Sequence, residues 1–291
     1  MQTILITGAS RGFGRDIAET LAAQGHRVFA GVREIGGRNA EVSAQLKAKG
    51  ATPVGLDVTE DASVDAAMRQ VLGASGGQLD VLVNNAGIAS AGVSESFTPD
   101  QVRDLFEVNV FGVQRLLRAA LPTFRKQGSG LVITIGSILG RVTFPFFGLY
   151  GASKFALEGM IDSYAYELSQ FGVEFVLVQP SAYPTNMYAS VQRPADAGRA
   201  GEYGEIGAIP GKMFETLMGM FNGPNAPNPH DVAEAVAKLM ATPAGERPDR
   251  VVVGTAFGAD AANAAFAPIQ QQVVDGLGLR SLGQVKVKAA V

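Results

Sequence analysis

The sequence contains no cysteine, which excludes disulfides, thiol nucleophiles and thiolate metal sites. It has only two histidines, His26 and His230, so a histidine-based metal site or catalytic triad has little to draw on, and we predict no metal site. Lysine and arginine total 24 against 27 acidic residues, with no long run of either sign. Because nucleic-acid binding needs a basic surface, the sequence predicts a small-molecule substrate and no nucleic-acid partner.

Long apolar runs are also missing. The most apolar stretch, residues 131–149, is interrupted by Thr134, Ser137, Arg141 and Pro145, and therefore falls short of a membrane span. The first residues, MQTILITGAS, lack the basic start and apolar core of a signal peptide. The expectation from these patterns is a cytoplasmic protein with no membrane span.

Short apolar runs alternate with longer helical patterns along the chain. The patterns predict strands at 3–8, 27–32, 52–58, 79–87, 130–137, 173–180 and 250–254. They predict helices at 13–24, 39–49, 61–72, 99–126, 150–170, 230–241 and 263–276. Continuously apolar strands separated by helices indicate a parallel sheet that is covered on both faces. The predicted fold is therefore α/β: a doubly wound, Rossmann-type, seven-stranded parallel sheet in a single domain over residues 1–291.

One segment interrupts the alternation of strands and helices. Residues 183–229 are rich in proline and glycine and contain one apolar patch, KMFETLMGMF (212–221). Long excursions in compact domains are usually functional, and ligands of open α/β sheets lie at the carboxyl edge. We interpret 183–229 as a substrate lid, with an ordinary surface excursion as the alternative. Residues 261–291 form a C-terminal tail to which the sequence assigns no role.

The stretch TGASRGFG (7–14) follows the first strand and opens the first helix, which is the setting of a nucleotide-binding glycine loop. Gly8 permits a tight turn, Gly12 permits close approach of a pyrophosphate, and Gly14 permits close packing of helix and strand. The helix N-terminus offers unpaired N–H donors to phosphates. An ordinary tight turn is the alternative for the loop taken alone.

The end of the second strand bears on which dinucleotide is bound. Sites for NAD usually place a carboxylate there to accept from the ribose 2′-hydroxyl, whereas this chain has Val32 and then Arg33. An arginine can bind a 2′-phosphate through two hydrogen bonds, and Arg11 in the loop could contribute. The sequence therefore predicts NADP(H) in preference to NAD(H), the alternative being that Arg33 is only a solvated charge.

The pentapeptide YGASK (150–154) places Tyr150 and Lys154 one helical turn apart. Alone this pair is weak evidence, but four further motifs accompany it. They are NNAG (84–87), EVNVFG (107–112), IGS (135–137) and QPSAYPT (179–185). With the glycine loop, this order and spacing resembles the short-chain dehydrogenase/reductase superfamily, in its compact single-domain form. The resemblance covers residues 1–185 well. Two longer stretches, residues 12–33 and 150–168, resemble steroid- and retinol-dehydrogenase-like members.

The resemblance implies a role for each of four residues. Tyr150 would be the general acid/base, and Lys154 would lower the Tyr150 pKa and bind the nicotinamide ribose. Ser137 would hold the substrate oxygen, and Asn109 would position a water that links Lys154 to solvent. Taken singly, Ser137 could simply end a strand and Asn109 could be an ordinary buried polar group.

The resemblance also implies a set of cofactor-binding residues. They are Gly8, Ser10, Arg11, Gly12, Phe13, Gly14, Arg33, Asp57, Val58, Asn85, Ala86, Gly87, Tyr150, Lys154, Pro180 and Thr185. Asp57 would meet the adenine amino group, and Thr185 would hold the nicotinamide carboxamide. Family members commonly have Pro-Gly where this chain has Pro180-Ser181, and that departure puts the Thr185 assignment in doubt because glycine admits backbone angles that serine disfavours.

The substrate is expected to be an apolar ketone, aldehyde or secondary alcohol. This hypothesis comes from apolar side chains within GRVTFPFFGLY (140–150) and the patch at 212–221, which would surround the reacting oxygen in the family fold. Packing in the core or in a dimer interface is the competing interpretation. The family often forms dimers or tetramers through the two long helices, so the resemblance allows a homo-oligomer.

Three functions compete at this stage. The leading one is an NADP(H)-dependent oxidoreductase acting on carbonyl or alcohol groups. The alternative is a catalytically inactive, dinucleotide-sensing regulator, which would have no need of the complete set of four residues. A sugar-nucleotide epimerase or dehydratase is a third interpretation, but those proteins tend to have a G-x-x-G-x-x-G loop and a larger substrate domain, and this chain has neither.

Overall fold

The computed structural model of the chain describes residues 1–287, so the last four positions of the predicted domain and tail lie outside the described residues. Seven strands form one sheet: β1 (Thr3–Ile6), β2 (Arg27–Val32), β3 (Thr52–Gly55), β4 (Val81–Asn84), β5 (Gly130–Ile135), β6 (Val173–Pro180) and β7 (Arg250–Val253). Their order is β3-β2-β1-β4-β5-β6-β7, and every pairing is parallel. The predicted doubly wound, seven-stranded parallel sheet is confirmed.

Helices occupy the connections between the strands, and one further helix follows β7. They are α1 (Gly12–Ala23), α2 (Ala40–Ala48), α3 (Asp61–Ser75), α4 (Pro99–Phe106), α5 (Gly112–Gln127), α6 (Gly148–Ser169), α7 (Ala197–Glu202), α8 (Gly204–Phe221), α9 (His230–Ala241) and α10 (Ala259–Gly276). Among residues 1–287, no helix combines the length and the apolar character that crossing a membrane would require.

The core consists of two apolar layers, one on each face of the sheet. Ile4 and Ile6 of β1 pack with residues of α1 and α9, while Leu5 between them packs with residues of α3, α5 and α6. Successive strand residues point to opposite faces, so a strand buried on both faces must be apolar at every position. This explains why the sheet strands are recognisable as uninterrupted apolar runs.

The structure departs from the predicted elements in two places. The single helix expected over 99–126 contains a π-helical turn, Glu107–Phe111, between α4 and α5. Such turns insert one extra residue into a helix and are frequent at functional sites. The segment 183–229, for which the sequence predicted no helix, contains α7 and α8, and α8 continues through Pro210.

Candidate active site

The carboxyl ends of the central strands form one edge at which the sequence motifs meet. Chain connections leave in opposite directions from β1 and β4, which are adjacent, and this topological switch opens a crevice beyond the strand ends. The glycine loop follows β1, Asn85 follows β4, and Ser137 follows β5. The fold therefore brings the nucleotide motif and the predicted reactive groups to the same crevice.

Close packing at the glycine loop explains why glycine is needed there. Gly8 has φ 67° and Gly12 has φ 55°, in the left-handed region that glycine favours. A Cβ atom on Gly8 would lie 2.8 Å from the Ala86 Cα, and one on Gly14 would lie 2.2 Å from the Asn85 Nδ2. Any larger residue at Gly8 or Gly14 would push the loop away from the end of β4.

Thr7 and Asn85 lock this loop to the neighbouring strand. The Asn85 side-chain amide donates to the carbonyl oxygens of Thr7 (2.8 Å) and Gly8 (3.2 Å). The Thr7 hydroxyl accepts from the backbone N–H groups of Asn85 (2.9 Å) and Ala86 (3.0 Å). Sequence reasoning missed Thr7, although its place immediately before the first loop glycine was a usable signal.

A cleft of about 140 Å³ runs along the loop towards the ends of β2 and β3. Twelve of the predicted cofactor residues line it: Gly8, Ser10, Arg11, Gly12, Phe13, Arg33, Asp57, Val58, Asn85, Ala86, Gly87 and Thr185. Gly14 lies behind the loop against Asn85, and Tyr150, Lys154 and Pro180 line the adjoining cavity described below. The structure thus gathers the predicted set around one continuous crevice.

Two arginines and one carboxylate give the cleft its charge. The Arg33 Nη1 lies 3.9 Å from the Asp57 Oδ2, and both side chains remain partly exposed. The other Asp57 oxygen, Oδ1, accepts from the backbone N–H and the hydroxyl of Thr59, at 3.0 and 2.8 Å. The Arg11 Nη2 donates across the cleft to the Ser190 Oγ at 3.1 Å, which joins the glycine loop to the segment after β6.

Tyr150, Lys154 and Ser137 form the buried centre of the crevice. Tyr150, Lys154 and Ser137 are 8%, 5% and 7% exposed, and all three line the same cavity. The Lys154 Nζ lies 5.7 Å from the centroid of the Tyr150 ring and donates to the Ile135 carbonyl oxygen at 3.0 Å. The Ser137 Oγ also accepts from the Leu139 N–H at 3.1 Å, which fixes its orientation.

The ionisation of this centre differs from the expectation. Burial raises the pKa of Tyr150 to about 12, and a hydrogen bond from Ser137 opposes that rise only in part. Burial lowers the pKa of Lys154 to about 8, against the opposing effect of the Glu158 carboxylate. The net direction for the Tyr150 pKa is therefore upward, opposite to the predicted lowering, because the desolvation of the phenol outweighs the hydrogen bond from Ser137.

Asn109 lies on the π-helical turn and is 1% exposed. Its Oδ1 accepts from the Ile88 N–H at 2.9 Å, and its Nδ2 donates to the Ile88 carbonyl oxygen at 2.9 Å and to the Ser153 Oγ at 3.0 Å. The Ser153 hydroxyl in turn donates to the Tyr150 carbonyl oxygen at 2.7 Å. Asn109 is thus tied to the helix that carries Tyr150 through Ser153, a residue that sequence reasoning missed.

A second, apolar cavity of about 230 Å³ adjoins the cleft and is lined by Tyr150 and Ser137. Its apolar lining includes Leu139, Phe144, Phe146, Phe147, Val191, Met213, Phe214, Leu217, Met220 and Phe257. Phe146 and Phe257 have left-handed backbones, with φ 67° and 49°, and the Phe257 ring packs edge-on against Phe144 at 5.4 Å. No sequence motif pointed to Phe257, because it follows β7 and lies far from the recognisable motifs.

The departure at Pro180-Ser181 is accommodated without strain. Within residues 1–287, the non-glycine residues with positive φ are Glu34, Phe146 and Phe257, so Ser181 adopts an ordinary backbone conformation. Its N–H donates to the Val253 carbonyl oxygen at 2.9 Å and so extends the pairing of β6 with β7. Thr185 lines both the cleft and the apolar cavity, and its contact with the nicotinamide carboxamide stays a prediction.

Comparison with known proteins identifies the family. A family model described as short chain dehydrogenase matches residues 2–196. The chain is 39% identical over 184 residues to 3-ketodihydrosphingosine reductase of Bacteroides thetaiotaomicron, covering 63% of this chain and 65% of that protein. It is 40% identical over 187 residues to human 17-beta-hydroxysteroid dehydrogenase type 1, covering 60% and 55%. The chain therefore belongs to the short-chain dehydrogenase family, although it spans less than two thirds of the length of these relatives.

Solved structures show the same fold. A short-chain dehydrogenase from Streptomyces avermitilis superposes with a TM-score of 0.77 at 31% identity, covering 95% of this chain and 97% of that one. An alcohol dehydrogenase from Thermococcus sibiricus, complexed with 5-hydroxy-NADP, matches with a TM-score of 0.69 at 26% identity, covering 87% and 96%. These matches and the family model confirm the predicted superfamily and fold.

Proposed function

We propose that the chain is an NADP(H)-dependent oxidoreductase that transfers a hydride between nicotinamide and an apolar ketone, aldehyde or secondary alcohol. The observation that carries the proposal is that Tyr150 and Ser137 line an apolar cavity that adjoins the nucleotide-type cleft, the two sharing Asn85, Gly87 and Thr185 in their linings. A screen of both reduced cofactors against carbonyl compounds, followed by the absorbance of the reduced nicotinamide, tests it. Turnover of small polar sugars or acids alone would remove the apolar substrate class.

Ser137, Tyr150 and Lys154 each have a different role in the proposed proton transfer. In the direction of reduction, Ser137 binds the substrate oxygen and Tyr150 donates a proton to it as the carbonyl carbon receives the hydride. A raised pKa of about 12 keeps Tyr150 protonated at neutral pH, which is the form that can donate. The Lys154 ammonium stabilises the phenolate that the donation leaves behind. Asn109 supports the helix turn that carries Tyr150, and its water-relay role stays a prediction.

The cleft fits a nicotinamide dinucleotide, which would supply the hydride when bound. The glycines leave a cradle next to Ala86 that a side chain would fill, and the N-terminus of α1 faces it. Gly8, Gly12 and their neighbours would hold the pyrophosphate, and Asp57 the adenine. Arg33 and Arg11 line the cleft and support the preference for NADP(H), because a guanidinium group can bind a 2′-phosphate through two hydrogen bonds.

Replacing Arg33 tests the cofactor preference. In Arg33→Ala we expect the ratio of kcat/KM for NADPH to that for NADH to fall about 10- to 100-fold, the value of one charge-assisted hydrogen bond. Arg38→Ala is the matched control, because Arg38 pairs with Glu34 at 3.0 Å and is not part of the cleft lining. Equal losses with NADPH and NADH in Arg33→Ala would refute the proposed 2′-phosphate contact.

The apolar lining supports a hydrophobic substrate and the proposal that 183–229 is a lid. Helix α8 contributes four side chains of the 212–221 patch to the cavity, and the Tyr188 ring packs against Phe221 of the same helix at 5.1 Å. Within the chain's relatives, the names 3-ketodihydrosphingosine reductase and 17-beta-hydroxysteroid dehydrogenase both describe bulky apolar substrates. A largely hydrophobic cavity with a few convergent polar groups is typical of a site for such compounds.

Shortening one lid side chain tests the apolar contact. In Leu217→Ala we expect KM for a bulky apolar ketone to rise about tenfold, because about 1.4 kcal/mol of apolar burial is lost, while KM for a small polar carbonyl stays unchanged. Met218→Ala is the matched control, since Met218 lies next on α8 but is not part of the cavity lining. An unchanged KM in Leu217→Ala would show that α8 does not contact the substrate.

Two further predictions concern the oligomeric state of the protein and its location in the cell. Assembly into a dimer or tetramer through α5 and α6 would explain the exposure of Phe111 and Phe155, which are 49% and 44% accessible. A cytoplasmic location remains the expectation from the sequence patterns.

A further inference from the structure

Glu158 is a buried carboxylate that the proposed reaction does not use. It follows Lys154 by four residues on α6, so the two side chains lie on the same helical face. Glu158 is 2% exposed and Lys154 is 5% exposed. A buried carboxylate is costly unless it is paired, so its retention one turn from the buried ammonium needs an explanation.

Three side chains hold the Glu158 carboxylate in place. Its Oε2 lies 2.7 Å from the Arg141 Nε and 3.2 Å from the Arg250 Nε, and its Oε1 accepts from the Gln179 Nε2. Gly140 leaves room for it, because a Cβ there would lie 2.7 Å from the Glu158 Oε1. Contact with two guanidinium groups favours the ionised carboxylate.

These partners come from the segments that carry the reactive groups. Arg141 ends the short turn that begins after Ser137, and Gln179 directly precedes Pro180 at the end of β6. Gln179 also accepts from the Asn263 Nδ2 of α10 at 2.7 Å. The carboxylate therefore joins α6 to the turn after β5, to the end of β6, to β7 and, through Gln179, to the C-terminal helix.

Lys154 and Glu158 are surrounded by titratable groups from α6, from the turn after β5 and from β7. Among the described residues, the titratable groups that face the pair are Tyr150 and Asp162 on α6, Arg141 after β5, and Arg250 with its neighbour Asp249 at β7. The Arg250 Nη2 binds Asp162 at 2.5 Å. Burial lowers the pKa of Lys154, and the Glu158 carboxylate opposes that lowering. Burial raises the pKa of Glu158 itself. The hydrogen bond from Gln179 and the charges of Arg141 and Arg250 oppose that rise.

We propose that Glu158 is a positioning residue that keeps the Lys154 ammonium charged at neutral pH and aligns the Ser137 turn with α6. Its effect on turnover rests on the proposed function, whereas its effect on the charge of Lys154 does not. The four-residue spacing, the burial of both groups and the two arginine contacts carry the inference.

The test compares Glu158→Gln with Asp162→Asn. Both changes remove one carboxylate from α6 and from the same arginines, but Asp162 lies a further turn away from Lys154 and is partly exposed. Lysine labelled with carbon-13 at Cε is titrated by NMR, with the Lys154 signal assigned from Lys154→Met. We expect the Lys154 midpoint, near pH 8 in the unsubstituted chain, to fall by about one pH unit in Glu158→Gln and to stay unchanged in Asp162→Asn.

The profile of kcat/KM against pH is the second readout, and its alkaline limb should move with the NMR midpoint. An unchanged midpoint in Glu158→Gln would overturn the inference, even if that variant is less stable or slower. If Glu158→Gln does not fold, the double variant Glu158→Gln/Arg250→Met removes the carboxylate together with one of its cations. Because loss of the cation by itself raises the Lys154 midpoint, the double variant is compared with Arg250→Met, and its midpoint should be about one pH unit lower. Absence of turnover in the unsubstituted chain would refute the proposed function, while the NMR midpoints would still decide the role of Glu158.

Discussion

Replacing Tyr150 with phenylalanine should reduce kcat about 10²- to 10⁴-fold and leave cofactor binding intact. The variant removes the Tyr150 hydroxyl and preserves the buried ring, whose centroid lies 5.7 Å from the Lys154 Nζ. A general acid at this position accounts for a loss of that size. The measurements are steady-state turnover with an apolar ketone and the dissociation constant of NADPH from nicotinamide fluorescence.

The matched control is Tyr164→Phe. Tyr164 lies on the same helix, stacks on Phe175 at 6.1 Å, and lines neither the cleft nor the apolar cavity. Its loss should leave kcat within about twofold, since a substitution outside the site is usually neutral. A dinucleotide-sensing regulator would be indifferent to both substitutions, so equal behaviour of Tyr150→Phe and Tyr164→Phe would favour that alternative.

Replacing Lys154 with methionine should lower kcat/KM about 10²- to 10³-fold, the usual cost of removing one preorganised charge from a water-excluded site. It should also change the dependence on pH. Because burial lowers the Lys154 pKa to about 8, the ammonium is charged below that pH and loses its charge as the pH rises through it. The unsubstituted chain should therefore lose activity above about pH 8, and the residual activity of Lys154→Met should not show that limb.

Tyr150 cannot produce the same limb, because its pKa of about 12 keeps it protonated throughout the accessible range. The exposed Lys126 at the end of α5 provides the control, and Lys126→Met should retain both the rate and the limb. Constant activity of the unsubstituted chain to about pH 10 would contradict the assignment of the limb to Lys154. So would a Lys154→Met variant that turns over at the original rate.

The sequence specifies the sheet well, because its strands are buried on both faces and each appears as an apolar run. β2 and β6 were predicted with the bounds that the structure shows, as was α9. The π-helical turn at Asn109 was not predicted, because a shift of one residue in a single turn is small against the apolar pattern of the whole predicted helix. Helix α8 was missed because Pro210 and its glycines disfavour a helix locally, and packing over the apolar cavity overrides that preference.

The candidate site was predictable where local motifs define it and unpredictable where distant segments meet. The glycine loop, Ser137, Tyr150 and Lys154 are recognisable because each has a fixed place in a motif. The direction of the Tyr150 pKa shift was not, because it depends on how completely the surrounding segments exclude water. The pairing of Glu158 with Arg250 was equally hidden, since the two residues are 92 positions apart.

Transfer of deuterium from NADPH labelled at its transferable position tests the central claim most directly. The account predicts that the unsubstituted chain places one deuterium on the carbonyl carbon of a bulky apolar ketone, as detected by mass spectrometry of the alcohol product, and that Tyr150→Phe forms almost none while still binding the cofactor. If the unsubstituted chain binds NADPH and gives no labelled alcohol from ketones or aldehydes, the Tyr150 hydroxyl is not the acid of a hydride-transfer site.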